Sequence, residues 1–156
     1  MNATDFTHIL TQTVDELSES SSYKGLMRQH TDGNPLPSGA MLCEIVELAR
    51  SILFPGYFGN ATLNSRTINY HIGVNVERLM ELLTQQILAG LCTVEENSER
   101  AQDENLRWKA AELSAQFIAK LPHIRRLLAT DVEAAYNGDP AATGYGEVIS
   151  CYPAIK

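Results

Sequence analysis

The chain has 156 residues, 44% hydrophobic and 20% charged, with a formal net charge of −7. That length is one domain's worth, able to bury about 68–70% of the unfolded chain's surface without staples. The acidic balance argues against nucleic acid, which needs clustered Lys and Arg.

The N-terminal MNATDFTHILTQTVDELSES has no basic start and no long apolar core, so it does not read as a signal peptide. The first helix is expected over about 4–21, where Phe6, Ile9, Leu10, Val14 and Leu17 form a stripe and Thr4 suits the N-cap. SSSYKGLMRQHTDGNPLPSG then reads as a polar connector with room for one helical turn. A second helix is expected over about 39–53, capped by Ser38, with Leu42, Ile45, Val46, Ala49 and Ile52 on one face. Pro55, Gly56 and Gly59 in LFPGYFGN end it. Phe54, Tyr57 and Phe58 in that loop have two readings, plugs for the core or a shaped docking surface, with Gly56 and Gly59 supplying positive φ.

The third helix, about 65–91, carries the strongest periodicity: Ile72, Val76, Leu79, Leu83 and Ile87, widened by Val74, Met80, Leu82, Leu88 and Leu91. A surface this broadly apolar must be covered on several sides, either by helices of the same chain or by a second subunit. TVEENSERAQDEN is a solvated connector or helix start. A fourth helix is expected over about 101–120, with Leu106, Ala110, Leu113, Phe117 and Leu121 on one face. Pro122 suits the first turn of a fifth, about 122–137, itself broken where Thr130-Asp131-Val132-Glu133 reads as a capping box. A short sixth is expected over about 145–152. The fold class is therefore all-α, a bundle of about six helices, with no run of about 18 apolar residues to cross a membrane. A cytoplasmic setting is expected.

Few residues carry chemistry by pattern. The cysteines Cys43, Cys92 and Cys151 are scattered and odd in number, so a reducing compartment fits better than a disulfide framework or a zinc site. Cys92, at an apolar helix end, reads as a small buried side chain. The histidines His8, His30, His71 and His123 lie in no metal-ligand spacing. His71 reads as a helix-end residue, and His123 with Arg125 and Arg126 as a solvated face open to an anion. No metal and no bound cofactor is expected. In AYNGDPAATG, Gly138 suits the left-handed position after a helix, and Pro140 forces Asp139 into extended backbone. Asp139 is then either an ordinary turn residue or a carboxylate held at a helix end, projecting away, to meet a cationic group.

Four stretches in order, LFPGYFGN, YHIGVNVERLMELLTQQILAGLC, LLATDVEAAYNGDPAA and EVISCYP, resemble the N-terminal helical region of bacterial serine O-acetyltransferases of the longer-headed type with the PGYFG loop. The resemblance covers residues 36–156 as a helical domain, leaving 1–35 as an N-terminal helix and connector. It implies transfer of acetyl from acetyl-CoA, a co-substrate, to the hydroxyl of L-serine, on the way to cysteine. It also implies a left-handed β-helix after the helical domain, and a dimer of trimers joined through the helical heads. Asp139, in Asp139-Pro140-Ala141, matches the aspartate that helps bind serine, through a charge-assisted hydrogen bond to its ammonium. Asp131 matches another recurring position and is assigned a structural or capping role. The family's general-base histidine sits on the repeats, and no hexapeptide repeat is present in these 156 residues, so no catalytic residue is carried over. The cysteine-synthase contact of the family is not carried over either. The chain thus reads as the head of a longer enzyme, inactive by itself. The alternative is a stand-alone, non-catalytic interaction or regulatory protein.

Overall fold

The computed structural model describes residues 3–23, 35–59, 62–94 and 103–155. It divides into two units, Met1–Asp32 and Gly33–Lys156.

In the first unit, α1 spans Ala3–Ser18 and a 3-10 turn follows at Ser20–Tyr23. Thr4, expected as the cap, is already inside the helix. The helix ends at Ser18, three residues before the expected end, with the Ser18 hydroxyl donating back to the Val14 carbonyl at 2.7 Å. Phe6, Ile9, Leu10, Val14 and Leu17 share a face, and each is at least 50% exposed. The polar connector from residue 24 to 34 lies outside the described residues.

The second unit holds α2 (Gly39–Leu53), α3 (Ile68–Val94), α4 (Glu104–Gly138) and α5 (Tyr145–Cys151), with no β-strand among the described residues. Ser38 caps α2 as expected: its Oγ accepts from the Met41 N–H at 3.3 Å, while its own N–H donates to Gln86 Oε1 on α3 at 2.7 Å. Gly56 and Gly59 adopt φ of 88° and 77°, again as expected. A Cβ at Gly59 would lie 3.1 Å from the Ser51 Cβ, so this turn of the loop needs glycine twice over. Asn64 starts the turn that leads into α3. Its Oδ1 accepts from the Arg66 and Thr67 N–H groups at 2.9 and 3.3 Å, and Thr67 Oγ1 accepts from the Asn64 N–H at 3.1 Å.

The main core joins α2, α3 and α4 through Ile45, Ile52, Leu79, Leu82 and Leu121, with Ile72, Val76, Ile118 and Ile124 against them. Helices of the same chain therefore cover the Leu79 and Leu82 side of α3. Val74 and Tyr70 remain 46% and 78% exposed. Cys92 is buried, in keeping with its reading as a small apolar side chain. A second, smaller core packs Val148 and Ile149 of α5 on Val132 of α4, with Phe54, Phe58, Tyr136 and Tyr152 around it. Phe54 and Phe58 thus plug the core, meeting edge to face at 6.2 Å, whereas Tyr57 stays 49% exposed.

The expected break between a fourth and a fifth helix does not occur. α4 runs 35 residues with Pro122 inside it. Proline removes one hydrogen bond and crowds the preceding turn, but Leu121 and Ile124 on either side are anchored in the main core, and that burial carries the helix through. The capping-box reading of Thr130 to Glu133 also fails. Thr130 Oγ1 donates back to the Leu127 carbonyl at 2.6 Å, the bond of a helix interior, and Asp131 is an exposed mid-helix residue, not a cap. The start of α4 is capped instead by Asp103, whose Oδ1 accepts from the Asn105 N–H at 2.9 Å.

Replacing Pro122 by alanine restores an N–H that can reach the Ile118 carbonyl. Pro122→Ala is expected to raise stability by about 1–2 kcal/mol, after the looser unfolded chain is subtracted. Urea unfolding checks this, and a loss of stability would show that the proline ring itself supplies packing.

Candidate functional site

The site lies where α4 stops and α5 turns back on it. Gly138 is the last residue of α4 and does not adopt positive φ, so the left-handed cap expected there is absent. Termination falls to Asp139 itself, extended at φ −114° and ψ 105° as the following proline demands. The Ala142 N–H then donates to the Asp139 carbonyl at 3.1 Å and closes the turn.

The Asp139 carboxylate does not project freely, which fits a turn residue better than the projecting carboxylate of the other sequence reading. Oδ1 accepts from the Ala141 N–H at 2.9 Å, and Oδ2 accepts from the Tyr152 hydroxyl. Both donors favour the charged form, and with the Tyr152 hydroxyl as the larger cause they hold the carboxyl below its ordinary value. The same bond, helped by burial, pushes the Tyr152 phenol up to about 12. Glu147 forms a second anchored carboxylate in the first turn of α5. Its Oε2 accepts from the Thr143 hydroxyl at 2.6 Å and the Thr143 N–H at 2.7 Å, which lowers its pKa, while the charge of Asp139 opposes that shift. The Tyr136 and Tyr145 rings pack at 4.7 Å and tie α4 to α5 beside this turn. The result is an anionic corner with two anchored carboxylates, Asp139 and Glu147.

The sign of the linkage is definite. Asp139 has a lowered pKa when folded, so its contribution to stability is present above 3.8 and lost as pH falls through the folded value. Tyr152 has a raised pKa, so its contribution is complete below 10.0 and lost as pH rises towards about 12. An ultraviolet difference titration should therefore show a late tyrosine step, towards about 12. Tyr152→Phe should remove that step, and a titration identical in wild type and Tyr152→Phe at that end would contradict the bond.

The other sequence candidates do not converge here. His8 and His123 are exposed, His71 sits in the first turn of α3 with its Nε2 3.0 Å from Asn75 Nδ2, and His30 lies outside the described residues. Arg125 is not part of a solvated basic face: its guanidinium donates to the Ile52 carbonyl at the end of α2. Among the described residues no group of three or more His, Cys, Asp and Glu could hold a metal ion, and no helix is long and apolar enough to cross a membrane. Sequence reasoning missed Tyr152, Glu147 and Thr143. The Thr143-to-Glu147 spacing at a helix start was a readable signal, but the Tyr152 bond depends on how α5 folds back.

The geometry thus defines a class, an all-α bundle that ends in a carboxylate-bearing turn. No protein-family model matches the sequence. A curated relative does: the chain is 42% identical over 123 residues to a plasmid-encoded serine acetyltransferase of Synechococcus elongatus, a match covering 78% of this chain. The resemblance to serine acetyltransferases read from the four sequence stretches is upheld by that similarity. The match spans 39% of the relative's own length.

Proposed function

We propose that the chain is the helical head of a serine O-acetyltransferase, acting with acetyl-CoA and L-serine in the cytoplasm, and that Asp139 binds the serine ammonium. The observation that carries this reading is the Asp139 carboxylate, kept ionised and immobile by two donors at the end of α4, in a chain 42% identical to a serine acetyltransferase. A fixed carboxylate meets an ammonium without further ordering, and so makes a strong charge-assisted bond.

In this reading the head serves assembly and serine binding, and turnover needs a general base that the family carries on its repeats. The 156-residue chain mixed with acetyl-CoA and L-serine should release no CoA. The full-length protein carrying it should release CoA only when both substrates are present. A full-length protein without that activity would overturn the reading.

One observation favours a second reading, a non-catalytic interaction protein: the apolar stripe of α1 is at least 50% exposed at Phe6, Ile9, Leu10, Val14 and Leu17, where the apolar stripe of a helix in a globular protein ordinarily faces a core. Assembly of heads in an enzyme and assembly in a regulator both predict oligomers by light scattering. A strict monomer would remove the assembly role from either.

A further inference from the structure

The Asp139 carboxylate has about four lone-pair positions, two on each oxygen. The Ala141 N–H takes one on Oδ1 and the Tyr152 hydroxyl takes one on Oδ2, leaving one on each oxygen unused by the described residues. The two donors come from different directions along the chain. Ala141 is fixed by the turn that closes α4, whereas Tyr152 follows α5, with its N–H bonded to the Val148 carbonyl at 3.2 Å. The Tyr152 ring packs against Val132, Val148 and Ile149. The phenol is thus mounted on the second core, and among the described residues it is the side chain that ties the carboxylate to that core.

We infer that Tyr152 is the positioning residue of the serine site, fixing which face of the Asp139 carboxylate is offered to the substrate ammonium. The inference rests on the reading of Asp139 as the ammonium partner. Without the phenol, Oδ1 remains tied to Ala141, but the carboxylate plane can swing about that bond. The ammonium would then meet a carboxylate that must be ordered on binding. Tyr152 touches no reacting atom, so its loss falls on serine capture and not on the acetyl-transfer step.

The titratable groups acting on the phenol are Asp139 at the end of α4 and Glu147 and Cys151 of α5. Of these, only Asp139 is bonded to it.

The test compares Tyr152→Phe with Asp139→Asn. Phenylalanine keeps the ring in the second core and removes only the hydroxyl. In the 156-residue chain, a carbon-detected NMR titration should show the Asp139 carboxyl midpoint rising in Tyr152→Phe towards 3.8, the ordinary value. In the acetyltransferase that carries these residues, Tyr152→Phe should raise the serine KM about tenfold with kcat and the acetyl-CoA KM little changed. An unmoved carboxyl midpoint, or an unchanged serine KM beside a raised one in Asp139→Asn, overturns the role of Tyr152 alone. An unchanged serine KM in Asp139→Asn itself overturns the reading of the site beneath it.

Discussion

Leu79→Ala is expected to lower the unfolding free energy of the second unit by about 2–5 kcal/mol. Leu79 is 0% exposed and Leu82 on the same helix 1%. Both sit where α2, α3 and α4 meet, with Ile45, Ile52 and Leu121 around them. Truncation removes the transfer energy of the lost carbons and leaves a cavity, and three helices already locked by one another can close it only in part. The total stability of a domain is about 5–15 kcal/mol, so the loss is a large share of it. Urea unfolding measures it through the midpoint. Val74→Ala, at a position 46% exposed, is the matched control on the same helix and should cost far less. Equal losses at the two positions would mean that a partner covers Val74 in solution.

Asp139→Asn is expected to lower kcat/KM for L-serine roughly 2- to 30-fold in the acetyltransferase that carries this head, while leaving the acetyl-CoA KM near its wild-type value. Asparagine is the same size and keeps a carbonyl oxygen to accept from the Ala141 N–H, so the turn survives. What it loses is the charge and, where Oδ2 stood, the acceptor for the Tyr152 hydroxyl. A hydrogen bond to a charged partner contributes about 1.5–3 kcal/mol, against about 1 for a neutral pair, and the difference falls on the one substrate that carries an ammonium. Measuring both substrates in one variant separates this outcome from a general loss of fold, which would depress both. A serine KM and kcat unchanged from wild type would return Asp139 to the role of a turn residue.

Much of this arrangement was legible in the sequence because it is local. The Ser38 cap, the positive φ at Gly56 and Gly59, and the extended Asp139 before Pro140 each follow from a residue's own geometry. The period of α3 marked Leu79 and Leu82 as apolar before their partners were known. The misreadings share a different cause. Pro122 and the Thr130 to Glu133 stretch are local stop signals, and both are overridden by burial of Leu121, Ile124 and Val132 against residues many positions away in the chain. Gly138 offered a left-handed cap that the helix did not need, because Asp139 and Pro140 already end it. The site itself was half legible. Asp139 was marked by its neighbours and by the family resemblance, but the donors that fix its carboxylate were not. Tyr152 reaches it only because α5 folds back on Val132, a consequence of packing that no spacing within the turn encodes.

The measurement that bears most directly on the central claim is the reading of the source gene beyond the codon for Lys156. The account predicts hexapeptide repeats, small aliphatic residues returning every sixth position, with a histidine placed to act as base on a serine held by Asp139. A stop codon in that place would contradict it, and would make the chain a helical interaction protein whose anionic corner serves its fold.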